Sequence, residues 1–147
     1  MTALGRSYIV FAALTLALIG CTKNSSLTSH IATSHLEKEL RSGATQVEVS
    51  SVNDFAWDKM FVFGPYQPRA WICQTLKVAE AQCARAGIRD VGEGEFLLIF
   101  MQGSQVTNIE FFPRTTADFD ESEKCMGKAI AKSEALFRVE RNTLICR

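Results

Sequence analysis

Five cysteines, two histidines and 16 acidic residues are the groups in this 147-residue chain whose types could support chemistry beyond packing. Nucleophilic hydrolysis needs a serine or cysteine with a base within hydrogen-bond reach. His30 and His35 stand together near the N-terminal end, in or beside a stretch rich in Ser, Thr and Asn. Their spacing of five misses the four-residue interval that places two ligands on one helix face, so they are not expected to hold a metal. The chain contains no H-E-x-x-H, G-x-S-x-G or C-x-x-C pattern and no phosphate-cradling glycine loop. Asp58, Glu93 and Glu95 could in principle form an acid pair, but 16 acidic residues permit many such pairs and none is singled out by spacing. The expectation is therefore no catalytic residue, no metal and no cofactor, which leaves the cysteines and what surrounds them.

Cys21 follows a single charge, Arg6, and an apolar block over residues 8–19, and it opens onto the polar sequence TKNSS. About a dozen apolar residues are too few for a transmembrane helix, which takes about 20. A basic start, a short apolar centre and small residues at the end have the anatomy of an export signal. Leu18, Ile19, Gly20 and Cys21 resemble the lipobox of bacterial lipoproteins. That resemblance implies a signal peptide over residues 1–20, cleavage before Cys21, and a diacylglyceryl group with acyl chains such as palmitate on that cysteine, each buried methylene contributing about 0.8 kcal/mol to membrane attachment. In that family an aspartate after the cysteine favours retention in the inner membrane; Thr22 stands there instead, which implies a periplasm-facing anchor in the outer membrane. Residues 21–34 read as a flexible tether and residues 35–147 as one folded domain. Arg6 is the only charge in residues 1–20, so removing them takes 16 basic residues to 15 against 16 acidic ones. A chain so close to neutral gives no support from its net charge for nucleic acid or for an anionic lipid surface as a partner.

With Cys21 acylated, an even set remains, Cys73, Cys83, Cys125 and Cys146, which in an oxidising compartment suggests two disulfides. The elements restrict their pairing. Pro68 at the start, Gly87 at the end and an apolar stripe of Ile72, Leu76, Ala79, Cys83 and Ala86 predict a helix over residues 68–86. Within one continuous helix Cys73 and Cys83 lie about 15 Å apart along the axis, too far to bridge, so each is expected to pair with Cys125 or Cys146, in either of two connectivities. Ser34 and Glu37 form a capping box for a first helix that carries Leu36 and Leu40 and stops at Gly43. Residues 45–52, with Val47 and Val49 on one face, and residues 59–64 read as strands joined through a turn at Asn53 and Asp54.

The segment EFLLIFMQGSQVTNIEFF, residues 95–112, reads as a hairpin about Gly103 and Ser104. Counting back from that turn pairs Phe100 with Thr107, Leu98 with Ile109 and Phe96 with Phe111, and makes this side the core. The opposite side, with Leu97, Ile99, Met101 and Val106 beside Asn108 and Glu110, is half apolar. It is either covered by the chain's own helices or made to be covered by a partner. A further helix over residues 120–133 is expected, with Met126, Ala129 and Ile130 inward and Lys124, Lys128 and Lys132 as a basic stripe. The chain closes as a hairpin about Arg141 and Asn142. Together these predict a single small α+β domain, two or three helices on a largely antiparallel sheet, locked by disulfides.

Residues 55–68 crowd Trp57, Asp58, Phe61, Phe63, Pro65 and Tyr66 together. Their pattern, W-D, four residues, then F-x-P-Y, resembles that of small exported bacterial proteins and implies no activity. Trp57 and Tyr66 can plug one end of the core or meet a partner, and Asp58 can cap a turn. The reading that follows is a lipid-anchored envelope protein that binds another protein, either as an inhibitor or immunity protein against a toxin or wall-degrading enzyme, or as a structural component of an envelope assembly. The residues placed at such an interface are Leu97, Ile99, Met101, Val106, Trp57 and Tyr66.

Overall fold

Residues 59–63 are apolar on both faces of their strand, Met60 and Val62 to one side and Phe61 and Phe63 to the other. A strand of that kind needs a covering layer on each side. The computed structural model, which describes residues 27–147, supplies both layers within a single small α+β domain. In chain order the elements are α1 (Ile31–Arg41), β1 (Gln46–Glu48), β2 (Lys59–Phe63), α2 (Arg69–Leu76), α3 (Glu80–Arg85), β3 (Glu95–Gln102), β4 (Gln105–Pro113), β5 (Asp118–Phe119), β6 (Ile130–Ala131), β7 (Leu136–Glu140) and β8 (Thr143–Ile145). One sheet has the order β4-β3-β2-β6, antiparallel throughout. The other has the order β1-β7-β8-β5, with a single parallel pair between β5 and β8.

The two sheets face each other across the first core. Phe119 lies at its centre, with Phe96, Phe112 and Phe137 each meeting its ring edge-on at 5.4 Å. Such pairs add about 0.5–1.5 kcal/mol each beyond simple burial. Ala32 and Leu36 of α1 pack into this core as well. The second core lies on the far face of the first sheet, where Phe61, Phe63, Leu97, Ile99, Met101 and Ile109 pack under Ile72, Cys73 and Leu76 of α2 and Cys83 of α3.

The helix expected over residues 68–86 is broken. α2 ends at Leu76, and Lys77 takes a left-handed φ of 57°. The Lys77 and Val78 amides bond back to Gln74 and Cys73, which closes the helix end as a left-handed cap does. After the break α3 starts afresh, and the Cα atoms of Cys73 and Cys83 come within 6.0 Å, forming the disulfide that a continuous helix would forbid. Cys125 pairs with Cys146 at 5.3 Å. The expected cross-pairing is therefore corrected: each bridge closes a local loop. Replacing Cys73 and Cys83 together by alanine is expected to cost about 3 kcal/mol in a denaturant titration run without reductant. The protein should then still show no free thiol from Cys125 or Cys146.

The helix expected over residues 120–133 is absent. Gly127, at a φ of 66°, ends a single turn begun at Ser122. The next residues leave as β6, which pairs with β2 at Lys59 and Met60. Met126 and Ile130 do pack against the first core, but Ala129 is exposed. The lysines thus share no helix face: Lys132 stands over the Trp57 ring at 4.9 Å and donates to Asn53, while Lys124 and Lys128 are exposed. The closing hairpin forms as read, with Arg141 and Asn142 at φ 47° and 66°. Those paired positive angles are what a tight turn between twisted strands requires.

At the other end of the chain α1 begins at Ile31, before the expected capping box, and Thr28 already bridges Ile109. Packing against β4 therefore already involves Leu27 and Thr28, within the segment read as tether. The expected signal peptide over residues 1–20, Cys21 and residues 22–26 lie outside the described residues. No described helix is long and apolar enough to cross a membrane.

Candidate partner-binding surface

The hairpin of β3 and β4 decides which side chains reach the surface. It turns at Gly103, φ 59°, and begins in the expected register, Gln102 opposite Gln105 and Met101 opposite Val106. A bulge then leaves Thr107 unpaired, so that Phe100 faces Asn108, Leu98 faces Glu110 and Phe96 faces Phe112. One extra residue turns the rest of β4 over. Ile109 and Phe111 consequently join Leu97 and Ile99 beneath the helices, and Asn108 and Glu110 point the other way.

This corrects the expected interface. Leu97, Ile99 and Met101 are at most 1% exposed and are covered by α2 and α3. Trp57 is buried too, its ring edge-on to Phe100 at 5.2 Å and its indole N–H donating to the Val52 carbonyl at 2.8 Å. Val106 is half-buried beside Leu27 and Val78. Asp58 is a turn cap, as read: its Oδ2 accepts from the Gly103 amide at 2.7 Å and from Gln102 at 3.3 Å. Of the six residues proposed for the interface, Tyr66 alone is exposed, with 70% of its surface open.

Tyr66 owes that position to the connection between β2 and α2. Gly64 is buried, and a Cβ there would come within 3.3 Å of Met126 Sδ, so the chain passes close beneath its neighbours. The Gly64 amide donates to Gln67 Oε1, and the Tyr66 amide to the Val91 carbonyl at 2.9 Å. Between these two anchors Tyr66 takes a φ of 64°. For an L residue with a Cβ that conformation costs on the order of 1–2 kcal/mol. Strain of this kind at an exposed aromatic residue is an observation from which function can be argued.

Charged groups surround the ring. The Glu93 carboxylate beside the phenol raises its pKa above the ordinary tyrosine value, against a smaller opposing pull from Arg114. Arg114 is held by Asp118 at 2.6 Å and by Glu121 at 3.6 Å, with its guanidinium over the Phe96 ring at 5.6 Å. The hydrogen bond to Asp118 is the main reason its pKa lies above the usual guanidinium value. All of these groups sit at one end of the first sheet, where β2 and β4 finish and β3 begins. Trp71, which sequence reasoning did not single out, is 41% exposed and stands edge-on to Phe63 at 5.8 Å. Its ring lies against Gly127, where a Cβ would approach to 2.7 Å.

An exposed aromatic side chain within a charged rim has the composition of a protein-binding hot spot. The other candidate groups are occupied separately. Glu95 pairs with Arg89, whose hydrogen bond holds its carboxyl below the usual range. His35 bonds the Glu48 carbonyl at 2.9 Å. Among the described residues no group of three His, Cys, Asp or Glu could hold a metal ion.

Sequence reasoning also missed Glu110. It is fully buried, and its carboxylate accepts from the Ala32 and Thr33 amides at 3.0 and 2.7 Å, and from Ser29 Oγ and Asn108 Nδ2 at 2.8 Å each. The residue thus caps the N-terminus of α1 from a neighbouring strand, where its charge also complements the helix dipole. A carboxylate between Ile109 and Phe111 was the available signal. No family model, curated protein or solved structure matches this chain.

Proposed function

We propose that this chain is a lipid-anchored bacterial envelope protein, exported by residues 1–20, acylated at Cys21 and facing the periplasm from the outer membrane, that binds another protein through the Tyr66 end of its first sheet. The observation that carries this reading is Tyr66 itself, 70% exposed and held at a φ of 64° on a scaffold with two disulfides. A backbone fixed in advance loses little freedom on binding, which suits an inhibitor or immunity protein that inserts a side chain into a toxin or a wall-degrading enzyme. The alternative is a structural part in an envelope assembly, which would use the same surface on a resident partner. The reading includes no catalytic role.

The test uses residues 22–147, produced in an oxidising compartment, as bait for secreted toxins, wall hydrolases and resident envelope proteins. Capture of a toxin or hydrolase identifies an inhibitor, and capture of resident proteins identifies the assembly role. Tyr66→Gly separates binding from folding, because glycine accepts the left-handed backbone without strain. Its stability is expected to stay within about 1 kcal/mol of the parent. Its affinity for the captured partner should fall about 30-fold or more, the 2 kcal/mol of a hot-spot residue. Undiminished affinity would remove Tyr66 from the interface.

A further inference from the structure

We infer that the β3–β4 hairpin tip and the Gln82 and Arg85 side of α3 face the bilayer, so that the Tyr66 loop is directed away from it; this rests on the acylation of Cys21 proposed above. The argument lies in where the described chain starts and which way it runs. The Ile109 amide donates to the Leu27 carbonyl at 2.9 Å, the Ser29 amide donates to the Ile109 carbonyl at 3.2 Å, and the Thr28 bridge to Ile109 is parallel. Because β4 runs from Gln105 to Pro113, a partner parallel to it leads back from Leu27 toward Gln105 and the tip at Gly103 and Ser104.

Cys21 stands six residues before Leu27. Six residues span at most about 22 Å however they run. From the level of Ile109, the hairpin tip is about 14 Å away in one direction, and the end of β4 is as far in the other. The anchor therefore reaches the tip with length to spare. To reach the opposite end it would first have to reverse, which takes about two residues and leaves about 14 Å. That length stops level with Pro113, short of the loop where Glu93, Arg114 and Tyr66 meet.

Chemistry at the near end fits a lipid surface. Leu27, Val78, Gln82, Arg85, Gln105 and Val106 line a cleft of about 360 Å³ there. Arg85 and the neighbouring Lys77 are exposed, and neither has an ion-pair partner among the described residues. Two such cations complement anionic phosphate headgroups.

The experiment uses the full acylated protein in vesicles of phosphatidylethanolamine and phosphatidylglycerol doped with a nickel-chelating lipid. A nitroxide is placed at Ser104→Cys or at Thr115→Cys, two exposed turn positions at opposite ends. Flotation is read first: the parent should float and residues 22–147, which lack both the signal and Cys21, should not. In floated protein the nickel headgroups should relax the label at residue 104 several-fold more strongly than the label at residue 115. Equal or reversed relaxation overturns the orientation while leaving the anchor in place. A parent protein that fails to float overturns the anchor, and the orientation with it.

Discussion

Ile99→Asp is expected to leave no folded protein. Ile99 is fully buried at the centre of β3, opposite Phe61 on one side and Ile109 on the other, under α2 and α3. Truncating a buried isoleucine costs about 2–5 kcal/mol by itself. The substitution also places a carboxylate with no partner between a sheet and two helices, which costs several kcal/mol more. The sum is comparable with the whole stability of a typical domain, about 5–15 kcal/mol. Circular dichroism of the purified variant is the measurement, with Ile99→Val as the companion that should fold and lose only about 1 kcal/mol. A folded Ile99→Asp domain that had merely lost its partner would place this face at the surface and refute the second layer.

The second large effect is expected at Glu110. Removing the carboxylate in Glu110→Ala deprives two amides of α1, the Ser29 hydroxyl and the buried Asn108 amide of their common acceptor. Hydrogen bonds to a charged group contribute about 1.5–3 kcal/mol each and do not add fully. A loss of about 3–5 kcal/mol is therefore expected in a denaturant titration. Glu110→Gln should lose less, since one oxygen remains to accept while its new amide protons face existing donors. Hydrogen exchange gives the location: in Glu110→Gln the Ala32 and Thr33 amides should exchange faster while those of β3 stay protected. Uniform acceleration across the domain would show that Glu110 acts on the whole fold, and not on the attachment of α1.

Where one local rule decided a conformation, the sequence revealed it. The closing hairpin is set by Arg141 and Asn142, and the cap on Gly103 is supplied by Asp58, a short acceptor next to the start of β2. The longer strands were legible from their apolar residues, but the two-residue strands β5 and β6 were not, nor was the bulge at Thr107. Leu97 and Ile99 are as apolar as Phe96 and Leu98, so the pattern on β3 accepts either register of β4. Only Glu110 tells the two apart, through its need for the α1 amides. The break at Lys77 was hidden for a related reason: lysine carries no preference for the left-handed conformation it adopts, and the apolar stripe continues across it. At the surface, composition identified the cluster of Trp57 and Tyr66 without sorting it. Trp57 is drawn inward by Phe100 and the Val52 carbonyl, whereas Tyr66 is turned outward by a backbone angle that no side-chain count encodes.

The direction in which Leu27 and Ser29 meet Ile109 also determines how the domain bears force. Tension on an N-terminal anchor pulls these residues along β4 toward the hairpin tip, at right angles to their hydrogen bonds. Bonds loaded in shear share the load and fail together, whereas bonds opened from one end fail in turn. Glu110 adds a second attachment behind them, tying Ser29 and the first turn of α1 to the same strand. A partner dragging on the far end of the sheet would load the long axis of β3 and β4, so in a protein anchored as proposed the attachment of Leu27 and Ser29 to β4 would be strongest along the line of pull.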